Sequence, residues 1–307
     1  MQNISIGECI RRRRKELKLT QEEVCFGICE VSTLSRIENG RHVPSRSKIN
    51  ALLQRLGLPE ERYYALTSPN ELEIEALKKE IVGFNTSKNS EMSLKYLQKL
   101  ISIVEPDDHL TQQFIIRSKL LIGNLQHQYA PDEQISLLLR AIRLTQPDFS
   151  LSTISDRLYT VDEIKLINSI ALVYSDLKQY SDAIRIHEQL LSYIEAHYSE
   201  AITSGSILQL VLFNYSRELG LNKQYQKSIE YAKKGQKSCI QYGQCNCLSG
   251  YLAIMAECYY YLGQIKESKE CYTEAYYLCK ALEQYRDFQI IQKEAFERIG
   301  LSFTDCF

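Results

Sequence analysis

Hydrophobic residues recur at steps of three and four along most of the chain, and the strict alternation that marks β-strands is rare. Such spacing places the apolar side chains on one face of each of many successive α-helices. Proline, which interrupts helices, does not occur after Pro147. The pattern therefore predicts an all-α protein.

The N-terminal part predicts a helix-turn-helix. Thr20 to Glu23 read T-Q-E-E, a capping box that begins a short helix, and Gly27 ends it. Helical spacing resumes from Val31 to Asn39 and stops at Gly40, which tolerates positive φ; Pro44 prevents continuation. In the second helix Leu34 and Ile37 share one face, and Ser32, Ser35 and Arg36 share another.

Amphipathic segments flank this unit on both sides. Before it, Ile6, Ile10 and Leu17 share a face that can pack inward. After it, a helix is predicted from the spacing of Ile49, Leu52, Leu53 and Leu56. Together the four segments predict a compact helical domain of roughly 65 residues, a size that can fold alone.

Basic charge is concentrated in this first domain. Residues 1–64 hold twelve Lys and Arg against eight Asp and Glu, whereas the whole chain has a net charge of −1. A run such as Arg11 to Arg14 is more often a solvated helix face than a nucleic-acid patch. Beside a helix-turn-helix, however, the local excess favours DNA binding.

The residues T-Q-E-E, the run S-T-L-S-R-I-E-N-G and the following Val43-Pro44 resemble the Cro/C1-type (Xre) helix-turn-helix family. The resemblance implies double-stranded DNA as a partner and an internal ion pair between Arg14 and Glu38. Arg36 would be the strong reader of guanine. By the resemblance, Val31, Ser32 and Arg36 face base edges with Thr33 and Ser35 nearby, and Gln21 and Asn39 contact phosphates.

A turn-forming break, Ser68-Pro69-Asn70, follows the first domain. Helical periodicity resumes at Glu71. The sequence therefore predicts a DNA-binding domain at 1–65, a linker at 66–70 and a helical domain at 71–307.

The helical domain contains internal repeats marked by pairs of small residues twelve positions apart. A small residue on each of two antiparallel helices lets them pack closely, so each pair predicts a helical hairpin. The pairs are Ala171 and Ala183, Ser216 and Ser228, and Ala256 and Ser268. The bulky residues between them are Tyr174, Leu219 and Tyr259, followed by Tyr180, Tyr225 and Ile265.

This pattern resembles the tetratricopeptide repeat. The resemblance implies a right-handed superhelix of about five hairpins, with earlier ones at 71–104 and 110–145 and a capping helix at 288–299. Its concave surface would hold an extended peptide. The repeat register places on that surface Lys165, Asn168, Asp176, Arg217, Glu257, Tyr260 and Tyr261, with Asn214 adjacent.

The two-part architecture resembles the RRNPP peptide-pheromone receptors of Gram-positive bacteria. That resemblance implies a cytoplasmic homodimer that binds a short signalling peptide in its repeat groove and thereby changes its grip on promoter DNA. Phosphatase members of the family lack an intact DNA-binding domain, so no catalysis is expected.

Two other functions remain open. The chain could be a DNA-binding repressor whose repeats bind a protein partner, such as an antirepressor or a mobile-element regulator, and no peptide. Catalysis is disfavoured because H-E-x-x-H, G-x-S-x-G and phosphate-loop motifs are absent. We expect no cofactor and no metal, because neither Cys25 and Cys29 nor Cys245 and Cys247 has a second pair at zinc spacing. Without a leader or membrane segment, the ten cysteines should be thiols in a reducing cytoplasm.

Overall fold

A computed structural model describes residues 6–58, 69–125, 128–197, 207–243, 245 and 247–303. Within these ranges the regular elements are α-helices and one 3-10 turn at Ile154–Asp156, which confirms the predicted all-α fold. The chain divides into two compact units. The first comprises Met1–Val173 and Ser192–Ile202, and the second comprises Tyr174–Leu191 and Thr203–Phe307.

Four helices at the start of the first unit form the N-terminal module. Their apolar faces meet in one core, in which Ile10, Leu34 and Leu52 are completely buried. Ile49, Leu53 and Leu56 belong to the same core, as their spacing predicts. The helices are α1 (Ile6–Glu16), α2 (Gln21–Cys25), α3 (Val31–Glu38) and α4 (Arg46–Arg55).

Local signals set the ends of these helices. The Thr20 hydroxyl accepts a hydrogen bond from the backbone N–H of Glu23 at 3.2 Å, and the Glu23 carboxylate accepts one from the N–H of Thr20 at 2.6 Å. The predicted capping box at the start of α2 is thus confirmed. Gly27 and Gly40 have φ of 66° and 68°, which lets the chain turn after α2 and α3.

The rest of the first unit begins with two helical hairpins, which agree with those predicted at 71–104 and 110–145. The first of these helices begins at Pro69 rather than at Glu71, because proline fits the first turn of a helix. Residues 66–68 of the predicted linker lie outside the described ranges. The hairpins are α5 (Pro69–Thr86) with α6 (Ser90–Ile103), and α7 (His109–Leu125) with α8 (Pro131–Arg143).

Two further helices contribute to both units, and five more complete the second. The hairpins share one turn geometry, in which a residue of positive φ lies two positions before the first residue of the second helix. Lys178, Lys223 and Gly263 occupy this place, with φ of 62°, 62° and 75°. The helices are α9 (Val161–Asp176), α10 (Tyr180–His197), α11 (Ile207–Leu221), α12 (Tyr225–Tyr242), α13 (Leu248–Tyr261), α14 (Ile265–Ala281) and α15 (Tyr285–Ile299).

The small residues that define the repeats lie where antiparallel helices touch. The Ser228 hydroxyl of α12 donates to the Ser216 carbonyl of α11 at 2.7 Å, and the Ser268 hydroxyl of α14 donates to the Ala256 carbonyl of α13 at 2.8 Å. All four residues have no exposed surface. The hairpin interpretation of this spacing is therefore confirmed for the second unit, and Ala171 and Ala183 are equally buried.

We predict that Ser228 tolerates a smaller side chain but not a larger one. Ser228→Ala should cost about 0.5–1.5 kcal/mol, because it removes the hydrogen bond donated to the Ser216 carbonyl and the weak one accepted from the Cys258 thiol at 3.2 Å. Ser228→Leu should cost more, about 1–3 kcal/mol from overpacking alone, because α11 and α12 must separate. Urea unfolding measures both, with Ser302→Leu at an exposed position as the control. An unchanged midpoint for Ser228→Leu would contradict the close packing of this hairpin.

Candidate functional site

Helix α3 presents one polar face outward while its opposite face joins the core. Val31, Ser32 and Arg36 are exposed, and Leu34 and Ile37 are buried. No other described residue makes an ion pair with the Arg36 guanidinium. Of the remaining predicted DNA contacts on this side, Thr33 and Ser35 are half-buried, and Asn39 is exposed and donates to the Ser35 carbonyl at 2.8 Å.

A buried ion pair fixes α3 against α1. Arg14 Nε and Nη2 donate to the two carboxylate oxygens of Glu38 at 2.6 and 2.8 Å, which confirms the predicted pair. Gln21 Nε2 also donates to Glu38 Oε2 at 2.8 Å, a contact that the sequence did not indicate. Burial raises the pKa of Glu38, but hydrogen bonds from Arg14 and Gln21 lower it below its usual value overall. The pair orients α3, and the Gln21 amide nitrogen is part of that support.

A second buried cation joins the N-terminal module to the rest of the first unit. Arg55, at the end of α4, is only 1% exposed. Its guanidinium donates to the Val24 carbonyl at 3.2 Å and to the Phe26 carbonyl, at the end of α2. Its Nη2 lies 3.5 Å from Oε1 of Glu163 on α9, and neither side chain is exposed. Nothing in the sequence around Arg55 indicated this contact.

Glu163 is itself held by the surrounding repeats. Its carboxylate accepts hydrogen bonds from the Thr160 N–H at 2.6 Å and from the Thr145 hydroxyl. The Thr145 oxygen accepts in turn from Gln113 Nε2 of α7 at 2.6 Å. A polar network therefore runs from the N-terminal module to both α7 and α9. We call the set Arg55, Glu163, Thr145 and Gln113 the buried latch.

Gly27 allows the close approach that the buried latch requires. A Cβ atom at this position would lie 1.7 Å from the Thr145 carbonyl oxygen, so no larger residue fits without movement of the backbone. The same residue has positive φ at the turn after α2. The sequence predicted only that Gly27 ends a helix at a turn. The structure shows that a glycine is also needed there because the Thr145 carbonyl packs against it.

The second unit contains a groove of about 690 Å³ between α11, α13 and α15. Three residues of the predicted peptide site line it, namely Asn214, Arg217 and Glu257. Much of the remaining lining is apolar, as is typical of ligand sites. The sequence missed these apolar residues and the contribution of α15, which it treated only as a cap. They include Leu210, Phe213, Ala253, Ile254, Ile290 and Ile291.

Only some of the charged side chains around this groove form ion pairs with residues that the structure describes. Arg298 Nη2 lies 2.6 Å from Glu257 Oε1, and its Nη1 lies 2.9 Å from Glu294 Oε2. Burial raises the pKa of Glu294. Arg217 is exposed and forms no ion pair within the part of the chain that the structure describes. Its guanidinium is therefore accessible to an acidic ligand group.

The other predicted peptide contacts lie elsewhere. Asn168 on α9 is buried at 3% exposure, and Lys165 on the same helix contacts Asp162 at 3.1 Å. Asp176 is exposed at the end of α9. Tyr260 and Tyr261 are at the end of α13, outside the groove lining, and Tyr261 stacks on Tyr225 with ring centres 5.0 Å apart. These positions leave the ligand roles as predictions.

The described cysteines are free thiols, and no group of three or more His, Cys, Asp or Glu in the described ranges could hold a metal ion. A hydrogen bond between Cys25 and Cys29 raises the pKa of the first thiol and lowers that of the second. Among the helices that the structure describes, none is both long and apolar enough to cross a membrane.

Comparison with known proteins identifies both parts of the chain. Residues 5–65 match the helix-turn-helix domain, and residues 149–298 match the RNPP family C-terminal domain. No curated protein sequence matches the chain.

Solved structures share the fold at low sequence identity. The Bacillus thuringiensis PlcR complex with the peptide PapR7 and DNA has a TM-score of 0.63 and 18% identity, covering 94% of this chain and 99% of that one. ComR from Streptococcus vestibularis with its cognate signalling peptide XIP has a TM-score of 0.52 and 15% identity, covering 97% and 99%. Aspartyl phosphate phosphatase F from Bacillus subtilis has a TM-score of 0.54 and 15% identity, covering 97% and 80%.

We predict that Glu163→Gln destabilises the first unit by about 3–5 kcal/mol, because it leaves the buried Arg55 guanidinium without a counter-charge. Urea unfolding followed at the first unit measures the loss. Glu133→Gln, on an exposed part of α8, removes the same charge and should change stability little. Equal midpoints for the two variants would show that the buried pair does not hold the module.

Proposed function

Because the chain joins a helix-turn-helix domain to the C-terminal domain of the RNPP family, we propose that it is a cytoplasmic, sequence-specific transcriptional regulator controlled by a short signalling peptide. The observation that carries the DNA-binding part is the outward face of α3. It bears Arg36, which is exposed and forms no ion pair with any residue that the structure describes, on a helix that Arg14 and Glu38 hold in place.

The composition of this face determines how it would read DNA. An arginine can bond O6 and N7 of one guanine in a bidentate manner, and Val31 can contact a thymine methyl group. Ser32, Thr33 and Ser35 are small enough to let the helix approach closely, and their hydroxyls bond several bases. Gln21 and Asn39 would contact phosphates and fix the register. Most of the specificity would therefore reside in Arg36.

The regulator would act as a homodimer. Helix-turn-helix dimers place two recognition helices about 34–36 Å apart, one turn of DNA, so each dimer reads two half-sites. A peptide that favours one spacing of the two modules would change DNA affinity, whereas a peptide that binds both spacings equally would not.

The groove of the second unit supports the peptide part of the proposal. Its apolar lining can bury hydrophobic side chains of a peptide. Arg217 can pair with a carboxylate. PlcR and ComR, which share the fold, were solved with peptides bound.

The alternative functions can be separated by experiment. If the repeats bind a protein partner, DNA binding will respond to that protein and to no peptide. A short gene for a secreted pro-peptide beside this one would favour the peptide. The likeness to a phosphatase concerns the fold, and the intact helix-turn-helix favours regulation.

The first test concerns Arg36. Genomic fragments bound by the full chain define the cognate site. We expect Arg36→Ala to weaken binding to that site by about 1–3 kcal/mol and to relax the choice of base at one position. Fluorescence anisotropy on cognate and scrambled duplexes measures this, and Arg140→Ala on the exposed face of α8 is the control. An equal loss on both duplexes would mean that Arg36 contacts phosphate and reads no base.

The second test concerns the groove. A pool of random heptapeptides is passed over the immobilised full chain, and retained peptides are identified by mass spectrometry. Ala253→Phe places a ring in the groove and should reduce retention about tenfold, equivalent to about 1.4 kcal/mol. Ala281→Phe, at an exposed position, should leave retention unchanged.

Either of two results would contradict the peptide proposal in part or in whole. Unchanged retention by Ala253→Phe would move the peptide site away from this groove. If the wild type retains no peptide and its affinity for DNA is the same with and without the peptide pool, the protein-partner function is favoured.

A further inference from the structure

Two cysteines lie at the turn between α2 and α3 and belong neither to the DNA-binding face nor to the groove. Cys25 is the last residue of α2, and Cys29 directly precedes Glu30, the N-cap residue of α3. The Cys29 N–H donates to the Cys25 carbonyl at 3.0 Å, which is the hydrogen bond of one helical turn. The two residues therefore span the turn of the helix-turn-helix, and we call them the thiol pair.

The two thiols are close enough to be joined by a bond. The Cys25 thiol is hydrogen-bonded to the Cys29 sulfur, and Cys25 Sγ also lies 3.8 Å from the Glu22 carbonyl oxygen. Side chains four residues apart in a helical turn have Cβ atoms about 5–6 Å apart, whereas a disulfide needs about 3.5–4.5 Å. A disulfide between the two residues is therefore within reach, but it requires the turn between α2 and α3 to tighten.

The surroundings of the thiol pair favour reaction at Cys29. This residue is half-buried and so accessible to a small molecule, whereas Cys25 is only 2% exposed. The hydrogen bond from Cys25 lowers the pKa of Cys29; burial opposes this shift, and the charges of Lys48 and Arg55 reinforce it. Because the thiolate is the nucleophile, Cys29 is the more reactive member, and Cys25 is the thiol next to it.

Three cysteines of the second unit have the opposite character. Burial raises the pKa of Cys239, Cys258 and Cys271 to about 11. Few of these thiols are ionised near neutral pH, so they are poor nucleophiles. Cys239 and Cys258 are also almost completely buried. They therefore provide a comparison within the same chain for the reactivity of Cys29.

The backbone on either side of Cys25 supports the buried latch. Cys25 lies between Val24 and Phe26, whose carbonyls accept hydrogen bonds from the Arg55 guanidinium. Gly27, two residues after Cys25, packs so closely against a carbonyl of the latch that a Cβ atom would lie 1.7 Å from its oxygen. Tightening the turn therefore disturbs the carbonyls that hold Arg55.

The other end of the thiol pair adjoins the start of the helix that would read DNA. The Glu30 carbonyl accepts the first backbone hydrogen bonds of α3, from the N–H groups of Thr33 and Leu34 at 2.9 and 3.1 Å. Cys29 is bonded directly to Glu30. A change in the position of Cys29 therefore moves the first turn of α3 and, with it, the outward face that carries Arg36.

We propose that Cys25 and Cys29 are a site of reversible oxidation, at which a hydroperoxide converts the thiol pair to a disulfide and thereby weakens DNA binding. The effect on DNA binding rests on the proposed function, whereas the oxidation itself does not. In a reducing compartment a disulfide of this kind is transient and serves redox sensing.

The oxidation takes two steps. The Cys29 sulfur attacks the O–O bond of the hydroperoxide and takes one oxygen atom to become a sulfenic acid, and the rest of the peroxide leaves as an alcohol or, from hydrogen peroxide, as water. The Cys25 sulfur then attacks the Cys29 sulfur, forming the S–S bond, and the sulfenic oxygen leaves as water with the proton of Cys25. The peroxide gains the two electrons that the two thiols lose. An external thiol reverses the reaction by exchange.

Peptide mapping of the full chain tests the oxidation directly. Trypsin cleaves after Lys18 and Arg36, so the peptide 19–36 contains both members of the thiol pair and no other cysteine. The reduced protein is treated with hydrogen peroxide, and the remaining thiols are alkylated before digestion. We expect peptide 19–36 to lose two hydrogen atoms and escape alkylation before Cys239 or Cys258 reacts, and dithiothreitol to reverse the change. Oxidation of this peptide no faster than that of the buried thiols would overturn the proposal.

Serine variants separate the roles of the two thiols. Cys29→Ser should leave peptide 19–36 unoxidised. Cys25→Ser keeps the thiol that is attacked and removes the second one, so the peptide should gain one oxygen atom, which dimedone traps as the sulfenic acid. Cys9→Ser, on α1, is the control and should form the disulfide as the wild type does. A gain of oxygen by Cys29→Ser instead of Cys25→Ser would contradict the assigned roles.

Fluorescence anisotropy on the cognate duplex measures the consequence. Peroxide should weaken DNA binding by the wild type and by Cys9→Ser about tenfold, equivalent to about 1.4 kcal/mol, and dithiothreitol should restore it. Cys29→Ser should bind DNA equally well before and after peroxide. An equal loss in Cys29→Ser would assign the effect to another residue and overturn the regulatory role. If the reduced wild type binds no DNA, the proposed function fails, and the mass of peptide 19–36 still decides whether the thiol pair is oxidised.

Discussion

The placement of the N-terminal module, and with it the outward face of α3, depends on one buried cation, the guanidinium of Arg55. It satisfies carbonyls at the end of α2 and faces Glu163, which belongs to a helix more than a hundred residues later in the chain. A charge removed from water in this way needs a counter-charge and hydrogen bonds to offset its desolvation. The two terminal nitrogens of Arg55 have such partners, whereas its buried Nε has no hydrogen-bond partner among the described residues. The buried pair therefore does little to increase net stability, but it strongly disfavours other placements of the module, in which Arg55 would lack its partner.

The partner of Arg55 is fixed by local backbone rules as well as by packing. Thr160 and Glu163 form a capping box at the start of α9, with the Glu163 N–H donating to the Thr160 hydroxyl at 3.2 Å. The carboxylate that neutralises Arg55 thus also begins the helix. Any movement of the first turn of α9 would move the carboxylate that neutralises Arg55 of the N-terminal module. The module and α9 are therefore coupled by a direct contact between side chains.

Features of short range could be predicted from the sequence, and those of long range could not. Thr20, Gly27 and Gly40 determine the backbone only within a few residues of themselves, so the local sequence was enough to predict their roles. The hairpin marked by Ser216 and Ser228 could be predicted for the same reason, since its two helices are consecutive in the chain. The predicted DNA contacts lie on α2 and α3 or at the end of α3, and three of the predicted peptide contacts line the groove of the second unit. Their ligand roles stay predictions, because they depend on partners outside this chain.

What escaped prediction depends on distant packing. An arginine in the last turn of a helix, such as Arg55, ordinarily faces solvent and the helix dipole, and nothing nearby distinguishes a buried one. The sequence did not predict that Ile290 and Ile291 line the groove, because the residues of α15 show only an amphipathic pattern and not the surface against which the helix packs.

The T-x-x-E pattern of Thr160 and Glu163 was available as a helix start, but its second role was not. A carboxylate can cap a helix and neutralise a distant cation with the same two oxygens, and only the folded chain shows both.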